Sequence, residues 1–262
     1  MILFVFEGEK TEPNLFKTLE HLYFTRKNER KIYCFGCNIY ELYRLMRESD
    51  FEGDVVSVIR DRLSDCPDNP LKDLEDVADI SEIYLFFDYD FQNKNLSVAE
   101  MNCQVKDLLR FFNDESENTR LYIHYPMVES IKCTNELPDK DFINYTATRD
   151  ECHDFKHFVT QHFSFYGSSD FYEFSRSKET GELRSVTPEK EAKIRQNWEY
   201  LKIQNLLKAH YICTGNYAIP TKKNDISQKL IFEKQIEKYI EPKNSVAILN
   251  AFPLFLYEYF KM

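Results

Sequence analysis

The chain has 262 residues, 43% of them hydrophobic and 15% aromatic, which is enough to bury a sizeable core rather than stay disordered. A net charge of −10 and a pI near 5.2 exclude binding of nucleic acid through a broad basic surface. No apolar run approaches the roughly 20 residues of a membrane-spanning helix, and the start MILFVFEGEK lacks a signal peptide's basic segment, so a cytoplasmic protein with no membrane partner is expected.

Seven cysteines, an odd number scattered through the chain, predict reduced thiols rather than a disulfide framework. Cys34 and Cys37 form a C-x-x-C pair, but zinc needs a second ligand pair. Cys152, His153 and His157 are of suitable type, yet no spacing ties them to the first pair. Buried strand cysteines are the expectation.

In chain order, residues 2–6 (ILFVF) are a continuous apolar run, as in a parallel strand buried on both faces. Pro13 sits where a first helical turn tolerates it, and Leu15, Phe16, Leu19, Leu22 and Tyr23 follow at helical spacing up to Phe24. A second strand is predicted around Lys31–Ile39, then helices near Tyr40–Glu48 and over residues 54–62. Residues 64–80, with two prolines and many acids, read as a loop with a helical turn. Ile83–Phe87 (IYLFF) is the second strong buried strand and runs into Asp88-Tyr89-Asp90. A helix from about Ser97 to Phe112 and a strand Arg120–Tyr125 complete a strand–helix alternation that implies an α/β fold with a mainly parallel sheet. Beyond residue 135 the pattern turns helical: residues 150–163, then 188–209, 226–240 and 244–260, with Thr187-Pro188 as a helix entry and residues 166–187 as a loop. The expected division is an α/β domain over residues 1–135 and a mostly helical region, 136–262, packed on it.

Ligands of open parallel sheets bind beyond the carboxyl ends of the strands. Two of the best strands end in acids there, one in Glu7-Gly8-Glu9 and the other in Asp88-x-Asp90. If those strands are neighbours, three carboxylates converge, and an oxygen-only cluster favours a hard cation such as Mg²⁺ or Mn²⁺. Without a cation the carboxylates would repel one another. Gly8 lets the backbone turn close beside such an ion. Each acid also has a plain alternative: Asp88 and Asp90 as turn or cap residues, Glu9 and Glu12 as complements to a helix dipole, Glu129 in a buried salt bridge. His153, His157 and His162 read as surface or packing residues of one helix. His210, Tyr211 and Lys222-Lys223 read as a solvated basic patch.

A hydrophobic strand ending in Glu-Gly, followed later by one ending in Asp-x-Asp, resembles the Toprim domain of topoisomerases, primases, small maturase nucleases and OLD-family nucleases. The stretch FVFEGEKTEPNLF is similar to the RloB-like branch found in prokaryotic defence loci. The resemblance covers roughly residues 1–130. It implies a four-stranded Toprim core, a divalent metal and a Toprim-type endonuclease acting on DNA or RNA, tRNA included, in antiphage defence. By that resemblance Glu7 is general base or metal ligand, Asp88 and Asp90 are metal ligands, and Glu12 is a second-line ligand. After the strand Leu121–His124, Glu129 reaches the same edge as a further acid, with Lys132 as a contact for the scissile phosphate.

About eighty residues separate Glu7 from Asp88, more than in compact Toprim domains, so an insertion around residues 50–80 is expected. Absence of the ATPase region of OLD-type proteins points to a separate ATPase subunit, and a homo-oligomer is compatible with this reading. Strand-passing topoisomerase and primase activities do not fit, for want of a catalytic-tyrosine domain and a zinc module. Haloacid-dehalogenase chemistry does not fit either, since Asp90 is followed by Phe91-Gln92 and the Glu7 motif would have no role. The competing reading is a catalytically silent Toprim scaffold that binds a partner as a regulatory subunit.

Overall fold

The computed structural model describes residues 1–24, 30–51, 55–62, 79–165, 171–177, 183–184, 186–222 and 225–260. Most of the loop expected over residues 64–80, part of that over 166–187, and Lys223 lie outside the described residues. The elements in order are β1 (Ile2–Phe6), α1 (Thr11–Tyr23), β2 (Arg30–Cys34), α2 (Ile39–Glu48), α3 (Val55–Arg62), β3 (Glu82–Asp88), α4 (Val98–Leu109) and β4 (Thr119–His124). Then come β5 (Thr146–Thr148), α5 (Arg149–His153), α6 (Phe155–His162), α7 (Pro188–Thr214), α8 (Gln228–Gln235), α9 (Glu241–Lys243), β6 (Ser245–Ala247) and α10 (Ala251–Phe260). Among the described residues, no helix is long and apolar enough to cross a membrane.

The fold is α/β, with helices on both faces of a four-stranded, wholly parallel sheet in the order β2-β1-β3-β4. Alternation along the strands divides the core. Leu3, Val5, Leu85, Phe87, Leu121 and Ile123 face one side, where α2, α3 and α4 pack through residues such as Met46, Val56 and Val105. Ile2, Phe4, Phe6, Phe86 and Tyr122 face the other, against Leu15, Phe16 and Leu19 of α1. The connection after β1 thus runs outward to β2 over one face, and the connection after β3 runs the opposite way to β4 over the other. The crevice between β1 and β3 is the point where the winding reverses.

The second half of the chain completes both layers. α7 begins on the α1 face through Ile194, Trp198 and Leu201, and ends on the opposite face through Leu206, Ala209 and Ile212. It stops at Gly215, whose φ of 82° gives the left-handed turn that closes many helices. α10 lays Phe252, Phe255 and Leu256 on the sheet, where the Phe86 ring lies 4.8 Å from that of Phe252 and 5.3 Å from that of Tyr122. Fully burying one such ring stabilises the fold by roughly 1.5–3 kcal/mol.

Three local expectations change. The second strand stops at Cys34, because Asn38 caps α2 by accepting from the Glu41 amide at 3.1 Å. The helix expected over residues 150–163 is interrupted at Asp154, where α5 gives way to α6. The single helix expected over residues 244–260 is instead a strand and a helix. Asn244 takes a left-handed φ of 47°, and β6 then pairs antiparallel with β5, a strand not foreseen. The Gln235 side chain bonds both the amide and the carbonyl of Ala247, and Val246, Ile248 and Leu249 are fully buried, so this run follows its β-formers into the core.

Candidate metal centre

The register of the central strands sets the height of the acids. Phe6 is level with Phe86, so Glu7 emerges just past the end of β1 while Asp88 closes β3 one residue further on. The Glu7 amide donates to the Phe86 carbonyl at 3.1 Å, continuing the ladder, and the Glu7 side chain turns over the crevice to accept from the Asp88 amide at 3.0 Å. Asp90 follows in a left-handed conformation, φ 50°. That strained backbone is held by the Pro126 carbonyl, which accepts from the Tyr89 and Asp90 amides at 3.1 and 3.3 Å. It brings the Asp90 side chain back beside Glu7.

Glu7, Asp88 and Asp90, each partly buried, each offer a carboxylate oxygen such that all three lie within 4.8 Å of one another. Among the described residues, this is the one such group of metal-ligating side chains. Each carboxylate is steered by a bond from the protein. Glu7 Oε2 takes the Asp88 amide, Asp88 Oδ1 the Val128 amide at 2.9 Å, and Asp90 Oδ1 the Gln92 side-chain amide at 2.7 Å. One oxygen of each remains for a cation, oriented by these outer partners.

The electrostatics are those of a site built around positive charge. Burial, then the Asp90 charge, pushes the Glu7 carboxyl well above the ordinary range, and burial followed by the charges of Glu7 and Glu12 does the same to Asp88. Asp90 is raised by burial, against the opposing bond from Gln92. Like charges taken out of water resist ionisation unless a cation neutralises them. The all-oxygen donor set fits Mg²⁺ or Mn²⁺.

The triad lies in an open cleft of about 700 Å³ whose lining includes Glu12, Glu129 and Lys156. Glu12 is 3% exposed and accepts from the Gly8 amide at 3.1 Å; a Cβ at Gly8 would lie 2.8 Å from its Oε2, so the glycine admits this contact. Glu129 is 5% exposed and pairs with Lys156 at 3.2 Å. Both acids share the cleft with the triad but stand outside its tight group. Lys132 does not line the cleft; its charge acts on Glu173 and Cys133.

Lys156 is the cleft residue that sequence reasoning missed. It is the second residue of α6, a helix noted in the sequence only for its histidines, and no spacing signals it. His124, level with Asp88 on β4, is not a base. Burial pushes its imidazole down to about 3, and its Nδ1 accepts from the Ala251 amide at the start of α10. His153, His157 and His162 are exposed, and Cys152 is buried in the core. His210 is buried, with its Nδ1 at 2.7 Å from the Ala218 carbonyl, while Tyr211 and Lys222 are exposed.

No family model, no curated protein and no solved structure matches the chain.

Proposed function

We propose that this protein is a divalent-metal-dependent nuclease that hydrolyses phosphodiester bonds of DNA or RNA, tRNA included. The observation that carries the reading is the convergence of Glu7, Asp88 and Asp90 at the carboxyl edge of two adjacent parallel strands, where the winding of the sheet reverses. The Glu-Gly and Asp-x-Asp motifs at those strand ends support a Toprim-type endonuclease of the RloB-like or OLD-like branch. Antiphage defence, a cytoplasmic setting and a separate ATPase subunit belong to the same proposal.

The three carboxylates hold the ion. When bound, Mg²⁺ or Mn²⁺ supplies Lewis-acid charge stabilisation and a more acidic water. Glu7, whose side chain reaches across to β3, would offer Oε1, the oxygen that the Asp88 amide does not take, either to the ion or, where Asp88 and Asp90 alone hold the ion, to the proton of the attacking water. Asp88 and Asp90 would hold the ion at a fixed place, because their own positions are set by Val128, Gln92 and Pro126. Six acids and two lysines among the cleft lining make it repel a polyanion until it is loaded with metal.

The test is cleavage of double-stranded DNA, single-stranded RNA and tRNA with Mg²⁺ or Mn²⁺, with and without a candidate ATPase partner, for the wild type, E7Q and D88N. Metal-dependent products from the wild type alone are expected. Equal cleavage by either variant overturns the assignment, and Mn²⁺ binding without cleavage of any substrate leaves a silent scaffold.

A further inference from the structure

Glu12 and Glu129 are almost wholly withdrawn from solvent in the same cleft as the triad, yet neither belongs to the tight group of three. Both line that cleft together with Glu7, Asp88 and Asp90. Two buried acids beside a cation site are what a second divalent ion would use. In this structure a cation already stands there: the Lys156 ammonium lies 3.2 Å from Glu129 Oε1, and its charge also lowers Glu12.

We propose that Lys156 takes the place of a second divalent ion, so that the cleft holds a single one. The inference rests on the triad being a divalent-ion site. Three features support it. First, of the two lysines that line the cleft, Lys156 is the one paired to an inner acid, Glu129. Second, its side chain is 67% exposed and overhangs the cleft from α6, so it reaches Glu129 from the solvent side, the side from which a substrate would enter. Third, the ammonium is the exposed, mobile end of this pair and Glu129 the buried, fixed end, so the lysine is the partner that can shift toward an arriving anion. The ammonium can therefore turn its N–H donors to the anionic oxygens of an incoming phosphodiester, a duty that a second metal ion performs elsewhere. A lysine carries one charge rather than two. Such a centre neutralises less of the acid cluster and leaves it more dependent on the one ion in the triad.

The experiment is the stoichiometry of Mn²⁺ binding, by calorimetry and electron paramagnetic resonance, on full-length protein without substrate. The wild type and K156R should take one ion per chain. K156Q should take two, and the K156Q/E129Q pair, which also removes the buried charge left at Glu129, should return to one. Two ions in the wild type, or one in K156Q with unchanged affinity, overturns the inference while leaving the triad intact. No ion in either protein removes the triad reading and this inference together.

Discussion

The backbone amide of Asp88 donates to the carboxylate of Glu7 at 3.0 Å, across 81 positions of sequence. The bond couples the ends of β1 and β3 and turns two strand termini into one site. It also means that either acid can lose its charge without losing its place, because a side-chain amide retains an acceptor oxygen.

E7Q and D88N should therefore fold and fail to bind metal. Mn²⁺ affinity is expected to fall by at least about tenfold. Relief of buried like charge should raise the melting temperature of the metal-free protein by a few degrees, about 1 kcal/mol in a chain of this size. The pH dependence follows the raised carboxyls. Protons compete with the ion from a higher pH than at exposed acids, so wild-type affinity should decline on acidification before pH falls to the ordinary carboxylate range. Calorimetric titration across pH, with thermal melts in a chelator, checks both; E7Q binding Mn²⁺ as the wild type does would rule out the triad.

Asp90 tests backbone against side chain. With φ at 50°, glycine relaxes the position and alanine strains it. D90G and D90A should both lose metal, but D90A should be less stable by about 1 kcal/mol. Chemical denaturation of the two metal-free variants gives the difference, and equal stability would mean that the left-handed backbone stores no strain.

Arg149, from α5, grips the segment that follows Asp90. Its Nε donates to the Phe91 carbonyl at 3.0 Å, one Nη donates to the Asn93 carbonyl at 2.5 Å, and the guanidinium sits 5.7 Å from the Phe91 ring centre. R149M keeps the stem and loses the grip. It should lower the cleavage rate about tenfold or more while leaving the overall fold in place, because small displacements of positioned groups cost rate steeply. Unchanged cleavage by R149M would show that Asp90 needs no support from the helical region.

Lys208 of α7 is fully buried, its Nζ donating to the carbonyls of Phe142 at 2.9 Å and Tyr145 at 2.5 Å. Burial pushes its ammonium down to about 7. Since the unfolded chain holds that proton up to a pH of about 10.4, it binds more protons than the folded one above pH 7, and stability rises with pH there. Between pH 7 and 8 the wild type should gain about 1 kcal/mol relative to K208M. K208M itself should be less stable by about 1–3 kcal/mol, because two buried carbonyls lose their donor. Urea titrations at the two pH values give the slope; parallel curves would place the lysine's charge elsewhere.

Much of this architecture is legible in the chain because its signals are local. The apolar runs at Ile2–Phe6 and Ile83–Phe87 announce buried strands, and the acids that follow each are adjacent in sequence. That the two strands are neighbours is not local, since β2, α2 and α3 lie between them. β6 was hidden because Ser245–Ala247 is short and borders the apolar start of α10; only its pairing with β5 and the Gln235 side chain separates it. α7 hides its partners for another reason: it joins the core layer on one side of the sheet at Trp198 and the layer on the opposite side by Ala209, so no single stripe marks it. Lys156 and the backbone of Asp90 were illegible because each acquires its role from elements far away in the chain.

The seat of α10 on the sheet bears on biosynthesis. A nascent chain that has emerged only as far as residue 240 has made every strand and acid of the centre, yet still bares Phe86 and Tyr122 where Phe252 and Phe255 will rest. Until α10 is in place those rings form a bare apolar patch on one face of the sheet, a surface of the kind that chaperones bind.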